Sequence, residues 1–153
     1  MSVPRHVGQL PVYYNKPVPA AHDYVEMSAQ PLYPFGYGLS YTTFEYSDLT
    51  IIEGLDASFK VTNTGNRKGD EVVQLYLHQD QPSVVQPERQ LMAFKRITLE
   101  PGETRQVTLD LDYGDLAIVD AKMEWTVEPG TYQILIGPSS NDIRLMGKIT
   151  IPD

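Results

Sequence analysis

The sequence predicts an all-β fold, an antiparallel β-sandwich preceded by an irregular N-terminal arm. Three observations lead there. From residue 55 onward apolar and polar residues alternate with a period of two, as on strands with one buried face. Groups of Pro, Gly, Asn and Ser punctuate these runs at roughly ten-residue spacing, the rhythm of a sandwich. No window of helix length keeps apolar residues at i, i+3, i+4 and i+7 without a Pro, a Gly or strand-like alternation cutting it.

The arm comes first. Up to residue 46 the chain holds Pro4, Pro11, Pro17, Pro19, Pro31 and Pro34 and seven of its ten tyrosines. Proline fixes φ and removes a backbone donor, so this stretch sustains neither helix nor continuous sheet. Only residues 8–15, "GQLPVYYN", read as a short strand, and Pro11 keeps it at an edge. Residues 1–30 are expected to bury too little surface to offset roughly 1–2 kcal/mol of backbone entropy per residue, and so to fray as far as Ala29; pairing with a sheet edge, of its own sandwich or of a second copy, is the alternative. Residues 31–41, "PLYPFGYGLSY", carry four aromatics, two prolines and two glycines in eleven positions. That composition predicts a rigid connector docked through Phe35, Tyr37 and Tyr41, with Gly36 and Gly38 supplying the turns.

The strands follow. In "LDASFKVTN" Leu55, Ala57, Phe59 and Val61 take one face; Asp56, Ser58, Lys60 and Thr62 take the other. Residues 72–77 are apolar on both parities, as a central strand is. In "RQVTLDLD" Val107, Leu109 and Leu111 point inward. Tyr132, Ile134 and Ile136, then Ile143, Leu145, Ile149 and Ile151, repeat the behaviour. The predicted core includes Phe59, Val61, Val73, Leu75, Leu109, Ile134 and Ile136. Turns are marked by residues 63–66, Pro101-Gly102, Pro129-Gly130 and Pro138-Ser139. The stretch 79–88, "QDQPSVVQPE", is expected to be a long, exposed and mobile loop, with Val84 and Val85 touching a neighbouring domain or the cleft rim of the whole protein.

Composition narrows the functional classes. A net charge of −8 argues against a nucleic-acid partner. No run approaches the ~18 apolar residues of a membrane span. With no cysteine there is neither a disulfide nor a Cys…Trp…Cys framework, which excludes an antibody-type domain and leaves a fibronectin-III-like sandwich. Asp110 and Asp112 lie two apart, the spacing of paired carboxylates on a strand, but Leu109 and Leu111 claim the core and leave both as surface acids. "DLDYGD" lacks the glycine and terminal acid of a calcium loop. His6, His22 and His78 are too scattered for a metal site or a nucleophile–base relay. No catalytic, cofactor or metal residue emerges. Trp125, with Tyr37 and Tyr41, has the aromatic faces that stack on sugars; the competing expectation for Trp125 is packing over the sandwich edge.

Arm and sandwich together resemble the C-terminal end of family 3 glycoside hydrolases, the β-glucosidase and β-xylosidase type. "VGQLPVYYN" (7–15) is similar to the last segment of that family's α/β-sandwich domain. "PLYPFGYGLSYTTFEYSDL" (31–49) is similar to its connector and first fibronectin-III-like strand. "VTNTGNRKGDEVVQLYL" (61–77), "RQLMAFKRITLEPGET" (89–104) and "EPGTYQILIG" (128–137) match the remainder in order. The resemblance implies that residues 1–30 are a remnant of the upstream domain and linker, and that 31–153 form a fibronectin type III-like domain. It further implies a longer parent that releases glucose or xylose from β-linked oligosaccharides, in the periplasm or secreted, with the cytoplasm left open. The family's nucleophile is an aspartate in a Ser-Asp-Trp context on a barrel. Ser47-Asp48-Leu49 matches the first sandwich strand instead, so no catalytic residue is carried over. The implied partners are the missing α/β-sandwich and barrel domains, and the implied role is accessory. Trp125, Tyr37, Tyr41, Val84 and Val85 are the candidate carbohydrate or interdomain contacts. An independent carbohydrate-binding module is the alternative.

Overall fold

The computed structural model describes residues 1–9, 12–16, 28–52 and 55–152. Among these residues nine strands occur in the order β1 (Phe44–Ile51), β2 (Ala57–Asn63), β3 (Gly69–Gln79), β4 (Gln90–Leu99), β5 (Thr104–Leu109), β6 (Ile118–Val119), β7 (Trp125–Thr126), β8 (Gly130–Gly137) and β9 (Leu145–Ile151), with one 3-10 turn at Tyr113–Leu116. They form a three-stranded sheet β1-β2-β5, a four-stranded sheet β4-β3-β8-β9 and a small β6-β7 hairpin. Every paired strand is antiparallel. The two larger sheets close face to face over one core.

Alternation decides which side chains meet there. Ala57, Phe59 and Val61 of β2 and Val107 and Leu109 of β5 face Val73, Leu75 and Leu77 of β3, Ile97 and Leu99 of β4, and Ile134 and Ile136 of β8. Each of the seven sequence-predicted core residues is at most 4% exposed. Tyr46 stacks on Phe59 at 6.1 Å between ring centres and closes the β1 side. Asn63 ends β2 fully buried, and its amide is satisfied on both sides. Nδ2 donates to the carbonyls of Arg67 (2.8 Å) and Leu99 (3.0 Å), while Oδ1 accepts from the Thr42 hydroxyl (2.6 Å) and the Gly65 amide (3.1 Å). One side chain thus ties the β2–β3 turn to both sheets.

Three local expectations are corrected. Leu55 does not open β2. It sits at φ +76° beside a turn closed by its own amide on Ile52 O, and pairing starts at Ala57. Asp110 and Asp112 are not a strand pair, because β5 stops at Leu109. Asp112 instead caps the 3-10 turn: its Oδ1 accepts from Gly114 N at 2.7 Å, and Asp115 returns a carboxylate to Asp112 N at 2.9 Å. The turn exists to drop Leu116, 1% exposed, into the core. Finally, Gly8, Gln9 and residues 12–15 form turns and irregular backbone rather than a strand; Leu10 and Pro11 lie outside the described residues.

Candidate interdomain surface

The four-stranded sheet has an outer face, and β3 shows what is required of it. Residues 73–77 are all buried, so Gln74 and Tyr76, pointing away from the core, must be covered from outside. The N-terminal arm and the connector do the covering. Tyr14 stacks on Phe35 at 4.1 Å and meets Tyr76 edge-on at 6.1 Å. Its hydroxyl accepts from Leu91 N at 3.2 Å, satisfying an amide of β4. Tyr76 Oη donates to Gln74 Oε1 at 2.6 Å. Gln74 Nε2 donates to Gly36 O and to Pro138 O, joining connector, β3 and the β8–β9 turn. Ser140 N donates to Phe35 O at 2.9 Å. Burial pushes the Tyr76 hydroxyl well above its ordinary range, so it remains a donor.

Described parts of the arm are therefore docked, against the expectation that it frays. On its own the arm has too little surface to bury, but it borrows the face of β3. A buried glutamine holds its two halves together. Gln9, 1% exposed, accepts from Arg5 N at 2.6 Å and donates to Ser28 O (3.2 Å) and Gln30 O (2.9 Å). Val3 and Tyr33 form an antiparallel bridge, and Lys16 O accepts from Glu88 N at 2.9 Å.

Of the three rings expected to dock the connector, only Phe35 does so. Phe35 is the anchor. Tyr37 stacks on Tyr33 at 5.1 Å with half its surface exposed, and Tyr41 projects into solvent at 91%. Gly36 supplies the turn at φ +80°, and a Cβ there would lie 2.1 Å from Gln74 Oε1. Gly38 has open space around it and no positive φ, so its expected role as a second turn glycine fails.

Beside the connector runs a cleft lined by Gly36, Leu39, Thr42, Glu71, Asp142 and Arg144, among others. Arg144 grips Asp142 through two hydrogen bonds (2.6 and 2.7 Å), donates to Phe44 O at 3.2 Å and lies 5.9 Å over the Tyr46 ring. Hydrogen bonding from that guanidinium holds the Asp142 carboxyl below its usual range. Burial pushes Glu71 the other way, upward.

The remaining candidates lie at the far end of β3. Trp125 belongs to the β6–β7 hairpin and is 76% exposed, so it does not pack over the sandwich edge. A two-residue strand paired only with Ile118 and Val119 gives its ring no second layer to lie against. Val85 is exposed and Val84 half-buried. Their loop is irregular but pinned: Ser83 N and Gln79 Nε2 donate to Glu128 Oε2 at 3.0 and 2.9 Å, and Ser83 holds that carboxyl below its usual range. At ~3.3 Å per residue, the 11 residues of β3 set the Tyr41 end roughly 30 Å from the Trp125 end. The five candidates do not converge on one site. Among the described residues no group of His, Asp and Glu is arranged to hold a metal ion. Sequence reasoning missed Tyr14, Gln74, Tyr76 and Gln9. The apolar run on both parities of β3 was the available signal that something must cover its outer face.

Residues 71–140 match the family model of the fibronectin type III-like domain. The chain is 45% identical over 151 residues to a β-xylosidase of Formosa agariphila, covering 92% of the chain and 21% of the relative. It is 40% identical over 162 residues to a periplasmic β-glucosidase of Salmonella typhimurium, covering 94% of the chain and 21% of the relative. Among solved structures, a β-glucosidase involved in saponin metabolism from intestinal bacteria superposes with a TM-score of 0.92 at 39% identity, covering 98% of this chain and 22% of that one. The chain thus spans about a fifth of the length of the curated relatives it matches.

Proposed function

This chain carries the fibronectin type III-like domain of family 3 glycoside hydrolases, and from that premise we propose that it is the accessory module of a longer β-glucosidase or β-xylosidase. Residues 1–30 belong to an upstream α/β-sandwich domain and its linker, and 31–153 are the module proper. The module braces that domain and the catalytic barrel, while the chemistry on β-linked oligosaccharides resides outside this chain. One observation carries the reading: arm and sandwich match as a single unit over more than nine-tenths of the chain, yet make up only a fifth of each relative. An arm that fastens itself across an outer sheet face suits a part whose task is to hold a neighbour in a fixed orientation. The test is turnover of aryl β-glucosides and β-xylosides. The isolated chain is expected to give none above a buffer blank, and steady turnover that survives repurification would overturn the proposal.

The exposure of Trp125 favours a second reading, in which the β6–β7 hairpin presents a sugar-stacking ring. Affinity electrophoresis in soluble β-glucan and xylan separates the two. Migration slowed in the glycan gel and restored by Trp125→Ala supports binding; unretarded migration excludes it.

A further inference from the structure

The arm and connector cover only part of the outer sheet face. Over Tyr76 and Gln74 the sheet is sealed by Tyr14, Phe35 and Gly36. Toward the start of β3 and the end of β4 it is bare. Register places Phe94 opposite Gln74 and Arg96 opposite Val72, with all four on this outer face. Phe94 is 68% exposed although it lies in the middle of a strand. Leu39, Tyr41, Val72 and Arg96 line one shallow concavity beside it. Leu39 and Tyr41 stand 88% and 91% exposed. Arg96 is paired with Asp70, and nearby Lys68 with Glu100 at 2.5 Å, so the charges around this surface are already neutralised within the chain. An apolar patch with a self-neutralised rim fits an uncharged, apolar partner surface rather than a nucleic acid or a charged peptide. β4 is also an edge strand, and Phe94 on it is the kind of residue that covered edges carry and free edges avoid.

We propose that Leu39, Tyr41, Val72 and Phe94 form a docking face covered by another domain of the same polypeptide. The inference rests on the accessory-module reading and adds the place of contact. Two observations choose this occupant. The patch continues the surface that the N-terminal arm already covers, so a body upstream of that arm is tethered beside it. And the matched relatives are single chains about five times as long, in which arm and sandwich occur together.

The experiment is hydroxyl-radical footprinting of this 153-residue chain and of the whole polypeptide encoded by its reading frame. Tyr41, Leu39 and Phe94 are expected to react several-fold more slowly in the whole polypeptide, at a rate independent of protein concentration. Equal reactivity in both, with the whole polypeptide cleaving aryl β-glycosides, overturns the docking face and leaves the accessory reading intact. Protection that vanishes on dilution overturns it in favour of a second copy. A frame that encodes no further domain, or a whole polypeptide without glycosidase activity, overturns the reading beneath it. Phe94→Asp supplies an independent readout: it should lower the Tm of the whole polypeptide and leave that of the isolated chain unchanged, and an equal drop in both would mean that Phe94 serves the sandwich alone.

Discussion

Gly36 concentrates the logic of the connector in one residue. Its positive φ turns Phe35 down onto the sheet, and its missing side chain leaves room for the Gln74 amide. Gly36→Ala is expected to cost about 1–3 kcal/mol from backbone strain, plus any displacement of Gln74, read as a lower denaturation midpoint at unchanged m-value. A variant as stable as the parent would show that the connector does not need this turn. Glu71 offers a test of opposite sign. Its folded pKa is raised by burial, so the folded state binds the proton more tightly than the unfolded state. Stability is therefore lost as pH rises from the unfolded pKa through the folded one, and above both the ionised carboxylate carries the full penalty. Glu71→Gln should raise Tm at pH 7 and do little at pH 4; the reverse order would mean that Arg144 and the Tyr46 hydroxyl outweigh burial. Asp142, held low by Arg144, behaves conventionally: its contribution is present above the unfolded pKa and lost as pH falls through the folded one.

At the scale of elements, the strands were legible because alternation is a direct imprint of the pleat. Phe59 and Ile134 could be assigned inward from their neighbours alone, and each replaced by Ala should cost roughly 2–5 kcal/mol in a chemical melt. What sequence reasoning could not supply was the partner of a residue dozens of positions away. Tyr14 looks like a solvent-exposed ring in a proline-rich arm until β3 and Phe35 are placed beneath it. Trp125 reads as a packing residue because tryptophan before a Pro-Gly turn usually finds a layer, and here the hairpin is too short to provide one. Exposure separates the candidate contacts Tyr41 and Trp125 from the docked ring of Phe35, a distinction fixed by tertiary burial and invisible in composition. The arm itself makes a prediction. Amide exchange at Val3, Gln9 and Leu32 should be slowed, since each donates to a backbone carbonyl in the arm–connector unit. Fast exchange at all three, beside protected β3 amides, would show that the strap opens independently of the sandwich.

For the whole molecule, contacts between distant parts of the chain have a consequence in time. The surfaces that receive the arm are made long after it: Leu91, whose amide Tyr14 caps, lies 77 residues downstream, and Asn141, which reaches Gln30, lies 111 downstream. At about 5–20 residues per second of synthesis, the arm waits roughly 4–15 s before even β4 has been made. Nascent chains halted before Leu91 should be cut by chymotrypsin after Tyr14, and released full-length chains should resist at that bond; equal cutting of both would contradict the docked arm. The arm is thus made well before the surface it docks on, and during that interval its rings must be kept from sticking to something else.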